Sequence, residues 1–188
     1  MMTPEEKKKL FEETKSITGF CEEDVANLIS LSPVMKKYGE ELSEFFYGRL
    51  HRVEATDAIL KAKSGRETRL KNTLIVWFNN LFEGNYDLKY ASDMIRIGQV
   101  HVAEKIDQRY VVSMYGMVFQ FIINALQSEY TGQQDKIEAL SNSAAKILSI
   151  DMAMMMESYL VELLDSTGWS MTLLKKMAAV SISKKLER

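Results

Sequence analysis

Ile95-Arg96-Ile97-Gly98-Gln99-Val100-His101 is the stretch on which the reading of this chain turns. Ile97 lies four residues before the histidine, Val100 one before and Ile106 five after, so the imidazole sits among apolar neighbours. The helix that carries it gives way to a bend at Asp107, which places the ring beside a gap between two helices. His101 is one of only two histidines in 188 residues. A neutral imidazole can hold a metal through one ring nitrogen while the other donates a hydrogen bond that fixes the ring. A lone histidine is more commonly a hydrogen-bonded core or surface residue, and His51, between Leu50 and Arg52 near a helix end, is read that way.

Working outward, every segment carries helical punctuation. Thr3-Pro4-Glu5-Glu6 is a capping box with proline at the first helical position, opening a helix that Gly19 ends. Glu22 to Ser30 predicts a second helix, with Val25, Leu28 and Ile29 on one face. Ser32-Pro33 predicts a fresh start, with a helix to about Val53 through Val34, Tyr38, Leu42, Phe45, Phe46 and Leu50. A short turn of helix follows over Ala55 to Lys63. Ser64-Gly65-Arg66-Glu67 predicts a capping box for a helix to Phe82, whose inner face carries Leu70, Thr73, Leu74 and Trp77. Gly84 stops it. Asp87 opens the helix that ends near His101, Asp107 caps a long apolar helix to about Tyr130, and Gln133 to Leu164 is one more. Beyond Gly168, Trp169 to Arg188 is an amphipathic segment. Seven or eight helices with short connections, the first a short extra one at the N-terminus, make an all-α domain.

The bulk numbers narrow the function. Hydrophobic residues are 46% and charged residues 27%, an ordinary globular balance in a length that suits one domain. A net charge of −2 gives no basic stripe for nucleic acid. One cysteine, Cys21, rules out an intrachain disulfide and fits a reducing compartment. No run of 18 or more uncharged apolar residues suggests a membrane span, and no apolar signal core follows Met1, so the expected location is cytoplasmic. No CxxC, glycine-rich phosphate loop or nucleophile elbow occurs, and no enzymatic activity is expected. The methionines at 152, 154, 155 and 156 are read as adaptable core or interface rather than ligands.

Three further segments join the histidine: Glu40-Glu41-Leu42-Ser43-Glu44-Phe45-Phe46-Tyr47-Gly48-Arg49-Leu50, Arg69-Leu70-Lys71-Asn72-Thr73-Leu74 and Asp107-Gln108-Arg109-Tyr110. Together with Leu148-Ser149-Ile150-Asp151-Met152-Ala153 they resemble the globin-coupled sensors, the sensory branch of the protoglobin group, over about residues 5 to 165. The resemblance implies a globin-like fold with haem b as cofactor, His101 as proximal iron ligand and Tyr47 as the distal tyrosine that hydrogen-bonds bound O2. Thr73 would be a second distal contact, and Phe46, Leu70, Leu74, Ile97, Ile106 and Tyr110 would pack on the porphyrin. The family often places a glycine and a proline between the proximal histidine and the next helix; Glu104 and Asp107 stand near those places here.

The functional expectation is therefore a haem-based sensor of O2, also able to bind CO and NO, in a sensor domain over residues 1–165. Residues 166–188 would lead to an output domain or partner. Tyr115, Phe119, Ile122, Leu126, Ile137, Leu140, Ile147, Met154 and Tyr159 spread over more than one stripe of the helices at about 107–130 and 133–164. That surplus suggests a homodimer through those helices, as in the family. The alternatives are a haem-free globin-like adaptor, or a haem protein acting on nitric oxide with a reductase partner.

Overall fold

A computed structural model of the chain describes residues 2–170, 173–174 and 176–179. Among them lie eight α-helices and no strand: α1 (Pro4–Thr18), α2 (Glu22–Met35), α3 (Gly39–Leu50), α4 (Glu54–Lys61), α5 (Arg66–Asn80), α6 (Leu88–Ala103), α7 (Gln108–Glu129) and α8 (Gln134–Thr167). A single 3-10 turn, Lys36–Tyr38, joins α2 to α3. The predicted caps at Thr3, Asp87 and Asp107 all form, each side chain accepting a backbone N–H from the first turn of its helix.

Two predicted boundaries move. The helix expected to open at Pro33 does not: α2 runs through Pro33 to Met35, because Leu28, Leu31 and Met35 are all fully buried on one face of it. Pro33 is exposed, and Ile29, whose carbonyl loses its donor, lies on the same outer side at 49% exposure. The cost of the proline therefore falls where water can satisfy the carbonyl. Ser64 caps nothing either; α5 starts from Gly65 in the left-handed region (φ +70) without a side-chain cap.

The long α8 is the spine, with α1, α2, α6 and α7 packed along it. On the other side of the molecule α3 packs on α5 and α7, and α4 on α5. At Gly98 the α6–α8 contact is too close for any side chain: an added Cβ would lie 2.6 Å from Ser158 Oγ and 2.8 Å from the Met155 carbonyl oxygen. Ser158 Oγ donates to the Ile95 carbonyl at 2.8 Å across the same seam. This seam fixes the height of α6, and with it His101 three residues on.

Seven of the nine residues expected to form a surplus apolar surface are buried within the single chain: Tyr115, Ile122, Leu126, Ile137, Leu140, Ile147 and Met154. Only Phe119 and Tyr159 are half-buried. Those seven belong to the intrachain core, while Phe119, Tyr159 and the exposed Val112 and Leu163 leave apolar surface on the outside of α7 and α8. By length and composition α7 could also cross a membrane; it packs against α8, α3 and α2, with 39% of its most apolar window buried. Gly168, in the left-handed region, ends α8 as the sequence indicated. Most of the amphipathic segment expected over 169–188 lies outside the described residues.

Buried side chains form two clusters rather than one. The main cluster runs along α8, while Tyr47, Leu60 and Leu74 form a small separate one, walled by Phe46, Leu50, Leu70 and Trp77. Small satellite clusters beside a main core are common, and here Phe46 and Trp77 pack against both. The interruption is a cavity.

Candidate functional site

The cavity has a volume of about 380 Å³ and lies between the α3–α5 wall and α6 with α7. That falls in the range of small-molecule and cofactor sites. All nine residues singled out from the sequence line it: Phe46, Tyr47, Leu70, Thr73, Leu74, Ile97, His101, Ile106 and Tyr110. Most of its lining is apolar, with Phe46, Leu70, Leu74, Ile97, Ile106 and Val111 among the walls. Its walls are built to hold a large apolar guest.

His101 comes from the last turn of α6. Its Nδ1 lies 2.8 Å from the Ile97 carbonyl oxygen, one turn back on the same helix. A carbonyl only accepts, so Nδ1 carries the proton and Nε2 keeps its lone pair. Burial lowers the imidazole pKa, against the raising effect of the Ile97 bond, and keeps the ring neutral. A ring oriented by a backbone carbonyl with a free Nε2 is the arrangement of an axial metal ligand.

The bend after His101 is closed by hydrogen bonds. Ile106 N–H donates back to the His101 carbonyl at 3.0 Å, and Tyr159 on α8 donates to the Ile106 carbonyl at 2.9 Å. Lys105 takes the left-handed conformation (φ 58) that a glycine would adopt without strain.

Tyr47 faces the cavity from α3 and is 6% exposed. Burial and then the Glu67 charge push its phenol well above the ordinary tyrosine range, with no hydrogen bond contributing. It is a protonated donor awaiting an acceptor. Thr73 lines the cavity too, yet lies on its exposed side, and its Oγ1 donates to the Arg69 carbonyl at 3.0 Å. In that rotamer its proton is spent on its own helix, so Thr73 can only accept from a neighbour.

Several lining residues escaped the sequence reading. Tyr115, counted as surplus surface, has its hydroxyl buried against the cavity wall without a partner. Trp77 Nε1 donates at 3.0 Å to Asp151 on α8, and Tyr90 donates to the other oxygen of that fully buried carboxyl. Burial pushes Asp151 up to about 7, against those two hydrogen bonds. Thr56 and the charged Arg66, Arg69, Arg96 and Glu104 also line the cavity. Arg66 and Arg69 stand one turn before Leu70 and Thr73 on the same face of α5, so extending that face upstream would have found them.

The protoglobin family profile matches residues 7–165. The chain belongs to the protoglobin family. This protoglobin is similar to the globin domain of the Geobacter sulfurreducens globin-coupled sensor: 30% identity, TM-score 0.74, covering 79% of this chain and 96% of that one. It is also 23% identical over 153 residues to the haem-based aerotactic transducer HemAT of Halobacterium salinarum. That match covers 77% of this protoglobin but 31% of the transducer, so the chain spans about a third of that relative's length. Both are named for sensing or transduction rather than catalysis, in line with the expectation of a non-enzymatic module. The all-α class expected from the helix pattern and the globin-like fold expected from the resemblance are both found.

The cofactor of protoglobins is haem b, and the cavity suits it on its own geometry. It offers an apolar slot, a neutral imidazole with a free nitrogen on α6, and a lone phenol donor on α3.

Proposed function

We propose that residues 1–165 form a haem-based gas-sensor domain whose physiological ligand is O2, with CO and NO as further ligands. The observation that carries the reading is the pairing of His101 and Tyr47 on different walls of one apolar cavity, each with its functional atom free. Ferrous haem, when bound, supplies an iron able to take a diatomic gas. His101 Nε2 holds that iron, and the Ile97 carbonyl keeps the imidazole oriented. Phe46, Leu70, Leu74, Ile97, Ile106 and Tyr110 enclose the porphyrin and exclude water.

Tyr47 sets the ligand preference. Its phenol, kept protonated by burial, donates toward the ligand side of the cavity. A diatomic that draws negative charge gains from such a donor roughly 1–3 kcal/mol, about five- to a hundred-fold in affinity. O2 draws more charge than CO, so the pocket favours O2 relative to an all-apolar one. Thr73, its proton donated to the Arg69 carbonyl, serves as acceptor for a pocket water.

Sensing requires two states that bind the ligand differently. The bend Glu104–Asp107 links His101 to α8 through the Tyr159–Ile106 hydrogen bond, so a shift of α6 reaches the spine directly. In this reading α7 and α8 pair with those of a second copy, and the segment after residue 165 leads to an output domain or partner. The setting is cytoplasmic.

The test is an absorption spectrum of the purified chain, reduced and then exposed to O2. A strong Soret band that shifts reversibly is the expected result, and His101→Ala should abolish stoichiometric haem. Haem retained by that variant with an unchanged spectrum refutes the assignment.

A further inference from the structure

The cavity carries a charge pattern that an apolar guest alone does not explain. Among the described residues, its only formally charged lining groups are Arg66, Arg69 and Arg96 against Glu104, a surplus of two positive charges. Arg69 on α5 and Arg96 on α6 are exposed lining residues of the two helices that flank the opening. Neither makes an ion pair with a carboxylate among the described residues. Arg66 is different. It is 8% exposed, bridges to Glu104 through Nη2 at 2.5 Å, and leaves its Nε buried with no partner. An arginine is rarely buried with a donor unmade, since the desolvated group has lost its water for nothing.

We propose that these three arginines form the clamp for the two carboxylates of the porphyrin's edge, and that Glu104 competes with them. The inference rests on the haem reading above and adds the orientation of the guest. With the carboxylate edge between α5 and α6, two negative charges meet the net surplus of two positive ones, and the apolar body lies inward against Leu74 and Ile97. The guanidinium fork suits a carboxylate geometrically, and Arg66 has an unused donor for one. Glu104 already occupies one Arg66 donor, so a carboxylate arriving there meets a like charge. Its own carboxyl is held below the usual range by the Arg66 hydrogen bond and charge, and it is ionised at neutral pH.

The experiment measures the rate at which the haem-loaded chain gives up its pigment to a scavenging apoglobin. It is run with iron protoporphyrin IX and with its dimethyl ester, which lacks both charges. Three variants are compared: Arg66→Gln, the exposed double variant Arg69→Gln/Arg96→Gln, and Glu104→Gln. The double variant keeps the test open should Arg66→Gln fold poorly. The arginine variants should lose the free acid about tenfold faster or more, with ester loss unchanged. Glu104→Gln should retain the free acid longer than the wild type, whereas a merely structural Arg66–Glu104 bridge would make it lose pigment faster. Equal acceleration for acid and ester, or faster acid loss from Glu104→Gln, overturns the clamp. Failure of the wild type to take up either pigment overturns the haem reading itself.

Discussion

Replacing Asp151 by asparagine should change how stability responds to pH more than stability itself. Asp151 is fully buried, with Trp77 and Tyr90 as its hydrogen-bond donors and no cation beside it. Burial moves its carboxyl from 3.8 up to about 7. The folded state therefore holds this proton across a range where the unfolded chain has released it. The sign follows: the contribution of Asp151 is fully present below pH 4, is lost as pH rises toward 7, and is flat above that. At about 1.4 kcal/mol per pKa unit, the loss amounts to about 4 kcal/mol. The amide of the Asp151→Asn variant cannot ionise, so the difference between variant and wild type should grow in favour of the variant by about that amount. In a chain of this length it corresponds to roughly 8–16 °C in midpoint temperature. The assay is urea unfolding followed by circular dichroism at half-unit steps from pH 4 to 8. His101, whose pKa burial lowers, acts with the opposite sign, losing stability as pH falls below its ordinary value. That term is common to both proteins and cancels in the difference. A difference that stays constant across the range would refute the argument, whatever its absolute size.

Tyr47→Phe should speed O2 release about five- to a hundred-fold and leave CO release nearly unchanged, as read by stopped-flow displacement. Gly98→Ala should destabilise the fold by roughly 1–3 kcal/mol, since the new methyl meets the Met155 carbonyl and Ser158 at under 3 Å, and it should also loosen pigment retention by tilting α6. Denaturant midpoints and pigment-loss rates check the two parts separately. Lys105→Gly should stabilise the fold by roughly 0.5–1 kcal/mol, read as a higher denaturant midpoint, because glycine takes the left-handed conformation there without a Cβ clash.

How much the sequence disclosed follows from what kind of signal each element carried. Thr3, Asp87 and Asp107 are short-range caps, and they acted where the local sequence put them. Ser32-Pro33 carried an equally clear local signal, and it was overruled because Leu31 and Met35 bury completely only if α2 continues. The nine pocket residues were legible because helix spacing and family likeness pointed the same way. The charged lining was not. Arg66 meets Glu104 across 38 positions of chain, and Trp77 meets Asp151 across 74; no periodicity reports on such pairs. Asp151 was quoted as part of a motif, but its burial between two aromatic donors becomes visible only once α5, α6 and α8 are assembled. The breadth of the apolar surface on α7 and α8 has the same origin, since seven of its nine residues bury against the several helices stacked on those two.

The split core has a consequence for how the molecule comes apart. α4 rests on α5, and the cluster beneath them has three buried members, Tyr47, Leu60 and Leu74. A layer with so little of its own burial opens at a lower free energy than the helices bound to α8, as a separate cooperative unit. Whatever fills the cavity touches that layer and the α8-bound helices at once, so its binding free energy adds to the cohesion between them. The guest then acts as a structural keystone. Proteolytic nicking should begin in residues 51–65, where exposed backbone joins α3, α4 and α5, and cofactor loading should set how quickly a young chain becomes resistant to degradation.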